Sequence, residues 1–121
     1  PVHGRNQLVL DFANPEVVDH IYEQIAAVLR QGDINYVKWD MNRSLCDIYS
    51  GSMVWQGNVM YDYVLDVYDL LERLTQAFPD MLWEGCSGGG GRFDMGMLYY
   101  TPQGDAYDCR ECVDDRKYKS R

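Results

Sequence analysis

Two amphipathic stretches, each followed closely by a short apolar run that ends in polar or charged residues, constrain this chain more than any other feature. The first opens at Asn14-Pro15-Glu16, which supplies a side-chain cap, a proline where the first turn needs no N–H, and an early carboxylate. Val17, Val18, Ile21, Ile25, Val28 and Leu29 then recur on one stripe and Gly32 supplies the stop, which predicts a helix from about 15 to 31. The run "INYVKWD" at 34–40 follows, and its Ile34, Tyr36 and Val37 favour a strand. The second stretch carries Val59, Tyr63, Val67, Leu71, Leu74 and Phe78 at helical spacing and halts at Pro79, and "MLWEGC" at 81–86 reads as the next strand. Ahead of the first helix, "LVLDF" at 8–12 suits a buried strand. The expected order is β-α-β-α-β followed by a loop. Strands that alternate with helices imply parallel pairing through right-handed crossovers, hence an α/β sheet or barrel. In both architectures ligand-binding residues gather at the C-terminal strand ends. Asp11, Asp40 and Glu84 to Cys86 fall at such ends, so one face is expected to collect the carboxylates, Lys38 and a glycine loop.

The chain has 121 residues, 46% of them hydrophobic and 25% charged, which fits one ordinary globular domain. Its formal net charge of -8, from 19 acidic against 11 basic residues, repels phosphate backbones and argues against a nucleic-acid or anionic-membrane partner. A neutral polar substrate is indifferent to that charge. No apolar run reaches the roughly 20 residues of a spanning helix and no basic-then-apolar leader is visible, so the reading is of a soluble, cytoplasmic protein. Pro1 stands where a methionine would open a primary product, which fits a processed product or a piece of a longer protein. Cys46, Cys86, Cys109 and Cys112 are too scattered for a disulfide scaffold and are expected to be reduced.

The glycine run within "GCSGGGGRFD" at 85–94 invites a phosphate loop, since successive backbone N–H groups can cradle an anion. However, no Lys-Ser or Lys-Thr follows it, the G-x-G-x-x-G spacing is absent, and carboxylates stand beside it. Two readings remain: a flexible turn over a strand end, or a loop kept small so that a bulky polar ligand can approach the backbone. Cys109 and Cys112 form a C-x-x-C without a thioredoxin-like context or a second ligand pair, and read as free thiols. His3 and His20 lie far from any nucleophile signature, which leaves a hydrolytic triad little support. Carboxylates are therefore the acid–base inventory, and hydrolysis of a glycosidic bond needs two of them. Lys38, two residues before Asp40, points to the same strand face and favours its ionised form, which a nucleophile requires. Composition alone leaves Asp40 open between a working nucleophile and one half of a Lys–Asp pair at a strand end.

"YVKWDMNR" at 36–43 and "EGCSGGGGRFDMGMLYYTPQ" at 84–103 resemble the two signature segments of glycoside hydrolase family 36, the microbial alpha-galactosidases. "GRNQLVLDFANPEVVDHI" at 4–21 and "YVLDVYDLLERLTQAFPDMLWE" at 63–84 resemble the intervening segments, so the likeness covers residues 4–103. It implies an α/β fold that is part of a (β/α)8 TIM barrel, strands three to five and the start of six, with 1–103 as the barrel segment and 104–121 as a divergent polar tail. It also implies retaining hydrolysis of terminal alpha-linked galactose from oligosaccharides such as melibiose and raffinose, without metal or organic cofactor, by a protein that is homo-oligomeric at full length. By the same resemblance Asp40 is the nucleophile, Lys38 and Asn42 match positions around the sugar hydroxyls and the nucleophile, and Cys86 and Gly89 match positions that line the sugar near its 2-hydroxyl. The likeness breaks after Gln103. The family continues with Trp-x-Ser-Asp-x-x-Asp, whose first aspartate is the acid–base, whereas this chain reads "GDAYDCRECVDD" and offers Asp108 at the matching distance without the tryptophan and serine. A barrel of this kind typically takes about 250 residues. The expectation is thus a fragment without activity of its own, and the alternative an inactive half-barrel that binds sugar weakly.

Overall fold

The computed structural model describes residues 7–42, 45–86 and 94–104, and within them two compact units. Gly89, Asp108, His3, Cys109 and Cys112 lie outside the described residues.

One unit is helical. Helix α1 runs Pro15–Gln31, with the predicted bounds. Asn14 stands extended before it and its side chain accepts from the Glu16 N–H at 3.1 Å, which satisfies a donor that the first turn leaves free. Gly32 ends the helix with φ -138° and ψ 164°, so the stop uses extended backbone instead of the left-handed conformation for which a glycine is usually chosen. The buried residues are Val18, Ala26 and Leu29, while Val28 lies on the flank of the stripe and is exposed. Helix α2 runs Val59–Ala77, entered through a single 3-10 turn at Gln56–Asn58 and closed by the Phe78 N–H on the Leu74 carbonyl at 2.9 Å, just ahead of Pro79. Its stripe buries Val59, Val67, Leu71 and Leu74 as expected, and adds Leu70, which the simple spacing passed over.

α1 and α2 pack on each other, and Arg73 of α2 ties their exposed rims together. Its guanidinium reaches Asp19 at 2.7 Å and Asp69 at 3.6 Å and lies 4.2 Å from the centre of the Tyr22 ring. Both carboxylates are more than half exposed, so Arg73→Met is expected to cost only about 1 kcal/mol, mostly from the ring contact and the partly covered pair. Urea denaturation in low and high salt checks this, because the ionic share shrinks with screening.

Residues 8–12 form no strand, contrary to the sequence expectation. Among the described residues this run joins no ladder, and a strand without ladder partners leaves its N–H and C=O groups unpaired. The run turns instead: the Phe12 N–H bonds the Leu10 carbonyl at 2.9 Å and the Asn14 N–H the Asp11 carbonyl at 3.1 Å. Leu8 and Leu10 are exposed, whereas Phe12 is buried with its ring 5.5 Å from that of Tyr63.

The other unit holds three parallel strands, β1 (Tyr36–Asp40), β2 (Leu82–Cys86) and β3 (Gln103–Gly104), in that spatial order. A short helix, α3 (Met95–Tyr100), precedes β3. Neither α3 nor β3 follows from apolar periodicity. Helix α3 is only six residues long and is held by its ends: the Asp94 carboxylate accepts from the Met97 N–H at 2.8 Å, and both the N–H and the hydroxyl of Thr101 donate to the Met97 carbonyl. Such local side-chain bonds can hold a helix too short to propagate alone.

Candidate active site

Parallel pairing sets Tyr36 against Leu82, Lys38 against Glu84 and Asp40 against Cys86. Side chains alternate along a strand, so these six share one face of the sheet, while Val37, Trp39, Trp83 and Gly85 take the other. On the second face Trp39 and Trp83 meet edge-on with ring centres 6.3 Å apart, and Trp83 is buried. That apolar layer fixes the orientation of the first face.

At the C-terminal end of β1 the Asp40 carboxylate accepts from Asn42 Nδ2 at 2.7 Å and from the Cys86 thiol. The Met41 N–H, which donates to the Cys86 carbonyl at 3.0 Å, also faces this carboxylate. Partial burial pushes the Asp40 pKa up. The hydrogen bonds from Asn42, Cys86 and Met41, with the charge of Lys38, outweigh burial and hold it below the ordinary value of 3.8. The sequence credited Lys38 with keeping Asp40 ionised; the donors at the strand end contribute more.

A folded-state pKa below the unfolded one means that ionised Asp40 stabilises the fold above the unfolded value, and that this contribution fades as pH falls through the folded value. Asn42→Ala removes a donor to the charged form. Its expected effect is an upward move of the Asp40 midpoint toward the ordinary value, read from the side-chain carboxyl carbon by NMR. An unmoved midpoint would assign the effect to the other donors.

Lys38 Nζ stands 3.5 Å from Glu84 Oε1, with the Lys38 side chain 43% exposed and that of Glu84 11%. The sequence places Glu84 at a strand end without marking it as a site residue. Its signal was parity: it precedes Cys86 by two, as Lys38 precedes Asp40.

Of the predicted residues, Lys38, Asp40, Asn42 and Cys86 come together within this unit. Asp11 belongs to the helical unit, and its run is not the strand that was expected to end there. There its Oδ2 accepts from the Ser50 hydroxyl at 3.0 Å and the Gly51 N–H at 3.1 Å, tying the turn before α1 to the loop ahead of α2. Ser50 is fully buried, and Gln56 grips its backbone from both sides, accepting from the Ser50 N–H at 3.1 Å and donating to its carbonyl at 2.8 Å.

The arrangement around Asp40 offers an exposed, ionised carboxylate at a strand end, held by hydrogen-bond donors. Such a group can attack an electrophilic carbon or bind a hydroxyl.

A family model described as Melibiase matches residues 1–120. Over 103 residues the chain is 62% identical to a bifunctional alpha-galactosidase/sucrose kinase of Mediterraneibacter gnavus, covering 85% of this chain and 10% of that protein. It is 50% identical over 119 residues to an alpha-galactosidase of Lactobacillus acidophilus, covering 97% of this chain and 16% of that one. The crystal structure of the GH36 alpha-galactosidase AgaA of Geobacillus stearothermophilus superposes with a TM-score of 0.85 at 45% identity, over 98% of this chain and 17% of that one. A variant of that enzyme solved with raffinose gives a TM-score of 0.81 at 48% identity, over 85% of this chain and 15% of that one. The chain therefore spans between a tenth and a sixth of the length of these relatives.

Proposed function

The chain belongs to the Melibiase family, and from that premise we propose that it is the part of a retaining alpha-galactosidase that carries the nucleophile, Asp40. The observation that supports this most is the set of donors on Asp40. Asn42, the Cys86 thiol and the Met41 N–H keep the carboxylate ionised and fix its direction, as attack on an anomeric carbon requires. In the proposed reaction Asp40 displaces the glycosidic oxygen as that oxygen takes a proton from an acid, which leaves a galactosyl ester on Asp40. Water, deprotonated by the same acid–base group, then attacks the ester and returns galactose with its configuration retained.

In this reading Lys38 contacts the sugar hydroxyls and Cys86 and Gly89 line the ring near its 2-hydroxyl. Asn42 already directs one amide N–H at the nucleophile. Asp108 is the candidate acid–base. The substrates are alpha-galactosides such as melibiose and raffinose, and the relative solved with raffinose supports the choice of oligosaccharide. Parallel strands alternating with helices, in a family whose solved members are many times longer, support the further reading that this is a segment of a (β/α)8 barrel.

A site that needs two carboxylates about 5 to 5.5 Å apart requires the closed barrel to hold them, so the 121-residue chain alone is expected to turn over no galactoside. The decisive experiment grafts residues 1–103 into the matching stretch of the Mediterraneibacter gnavus relative. Hydrolysis of p-nitrophenyl alpha-galactoside by the chimaera, with a fluorinated galactosyl fluoride trapped on Asp40, supports the proposal. An adduct on any other carboxylate sinks it.

A further inference from the structure

We infer that Glu84 is a positioning residue for the nucleophile, acting through Lys38: its pair with the Lys38 ammonium sets how much of that charge Asp40 feels. This inference rests on the proposed role of Asp40, but its physical content does not need turnover. Glu84 is 8% exposed, paired in register with Lys38, and its Oε1 lies 3.5 Å from Lys38 Nζ. It stands two residues before Cys86 on the same face, so one strand delivers both the thiol that bonds Asp40 and the carboxylate that restrains the lysine.

A carboxylate so covered is costly to leave unpaired, which makes Glu84 the fixed partner and the more exposed Lys38 the movable one. Lysine is a compact charge on a flexible stem, and loss of the Glu84 pair lets its ammonium shift toward Asp40 on the same strand face, whose carboxylate already feels that charge. A nucleophile clamped in a tight ion pair is a poorer nucleophile. Sharing the cation with Glu84 keeps Asp40 ionised while leaving an oxygen free to react. The other titratable groups among the described residues of this unit are Tyr36 and Cys86 on the same face, Asp94, which caps α3, and the edge-on pair Tyr99 and Tyr100 on α3.

The test is a pH titration of the Asp40 carboxyl carbon by NMR in the full 121-residue chain and its variants. Glu84→Gln keeps the shape and removes the charge, and is expected to lower the Asp40 midpoint by about half a pH unit as the ammonium shifts toward Asp40. In a Lys38→Met background the same change should move the midpoint by less than half as much, because the lysine that carries the effect is gone. An unmoved midpoint in Glu84→Gln overturns the inference. So does an equal shift in both backgrounds, which would mean that Glu84 acts on Asp40 directly. Should Glu84→Gln fail to fold, Glu84→Asp is titrated in its place: it keeps the charge but withdraws it by one methylene, and is expected to give a smaller drop, with no drop again overturning the inference. Failure of the chimaera to trap galactose on Asp40 would remove the nucleophile reading and leave this titration result standing, so the two can fail separately.

Discussion

Asp40→Asn in the chimaera is expected to lower kcat for p-nitrophenyl alpha-galactoside by about 10⁴-fold or more, with the circular dichroism spectrum unchanged and the melting temperature only modestly lowered. The substitution keeps the size of the side chain and its place at the end of β1. An amide cannot form the galactosyl ester, so the double displacement has no first step. Cys86 and the Met41 N–H would then face a group with no charge and one fewer acceptor, so a modest loss of stability near neutral pH is expected as well. Retention of kcat within tenfold would remove Asp40 from the nucleophile position, whatever its surroundings suggest. The size of the effect separates the readings: a residue that only helps to bind sugar changes KM and leaves much of kcat, whereas a nucleophile takes kcat with it.

Gly85→Ala is expected to destabilise the chain by about 1–3 kcal/mol, the range for forcing an added methyl into packed structure. A Cβ on Gly85 would lie 2.6 Å from Thr101 Oγ1 and 3.3 Å from its Cβ. Thr101 cannot easily swing aside, because it is 2% exposed and its hydroxyl donates to the Met97 carbonyl at 2.6 Å. The strain would fall on the seam between β2 and the end of α3, and Gly85 is flanked by Glu84 and Cys86, so the donor set on Asp40 would shift with it. Urea midpoints of Gly85→Ala, Thr101→Ala and the double variant check the cause. If the clash is responsible, the double variant loses less than the two singles added together, since removing the hydroxyl clears the space that the methyl needs. Strict additivity would place the cost elsewhere.

Of the fold, the two long helices, α1 and α2, were legible from their end signals. Asn14-Pro15 marks where α1 begins, and Pro79 bars α2 from continuing; both act through backbone chemistry within a few residues of themselves. Strand β1 and strand β2 were legible too, from runs that fit a pleated surface. The run at 8–12 has the same local character and yet is not a strand, because strand formation depends on a partner that local sequence does not supply. Helix α3 escaped for the opposite reason: it is too short for a periodic stripe and depends on Asp94 and Thr101 at its two ends.

The site divides in the same way. Sequence parity alone puts Lys38 and Asp40 on one strand face, since alternation is a property of a single chain, and the motif around them points to a carboxylate chemistry. What no single strand determines is register. Only the parallel pairing of β1 with β2 sets Cys86 beside Asp40 and Glu84 beside Lys38, and that pairing turns a Lys–Asp spacing into a network in which the thiol and the Met41 N–H, more than the lysine, hold the carboxylate ionised. Slipping β2 by one residue would bring Trp83 and Gly85 to that face, so the choice rests on which side chains the other face of the sheet must bury.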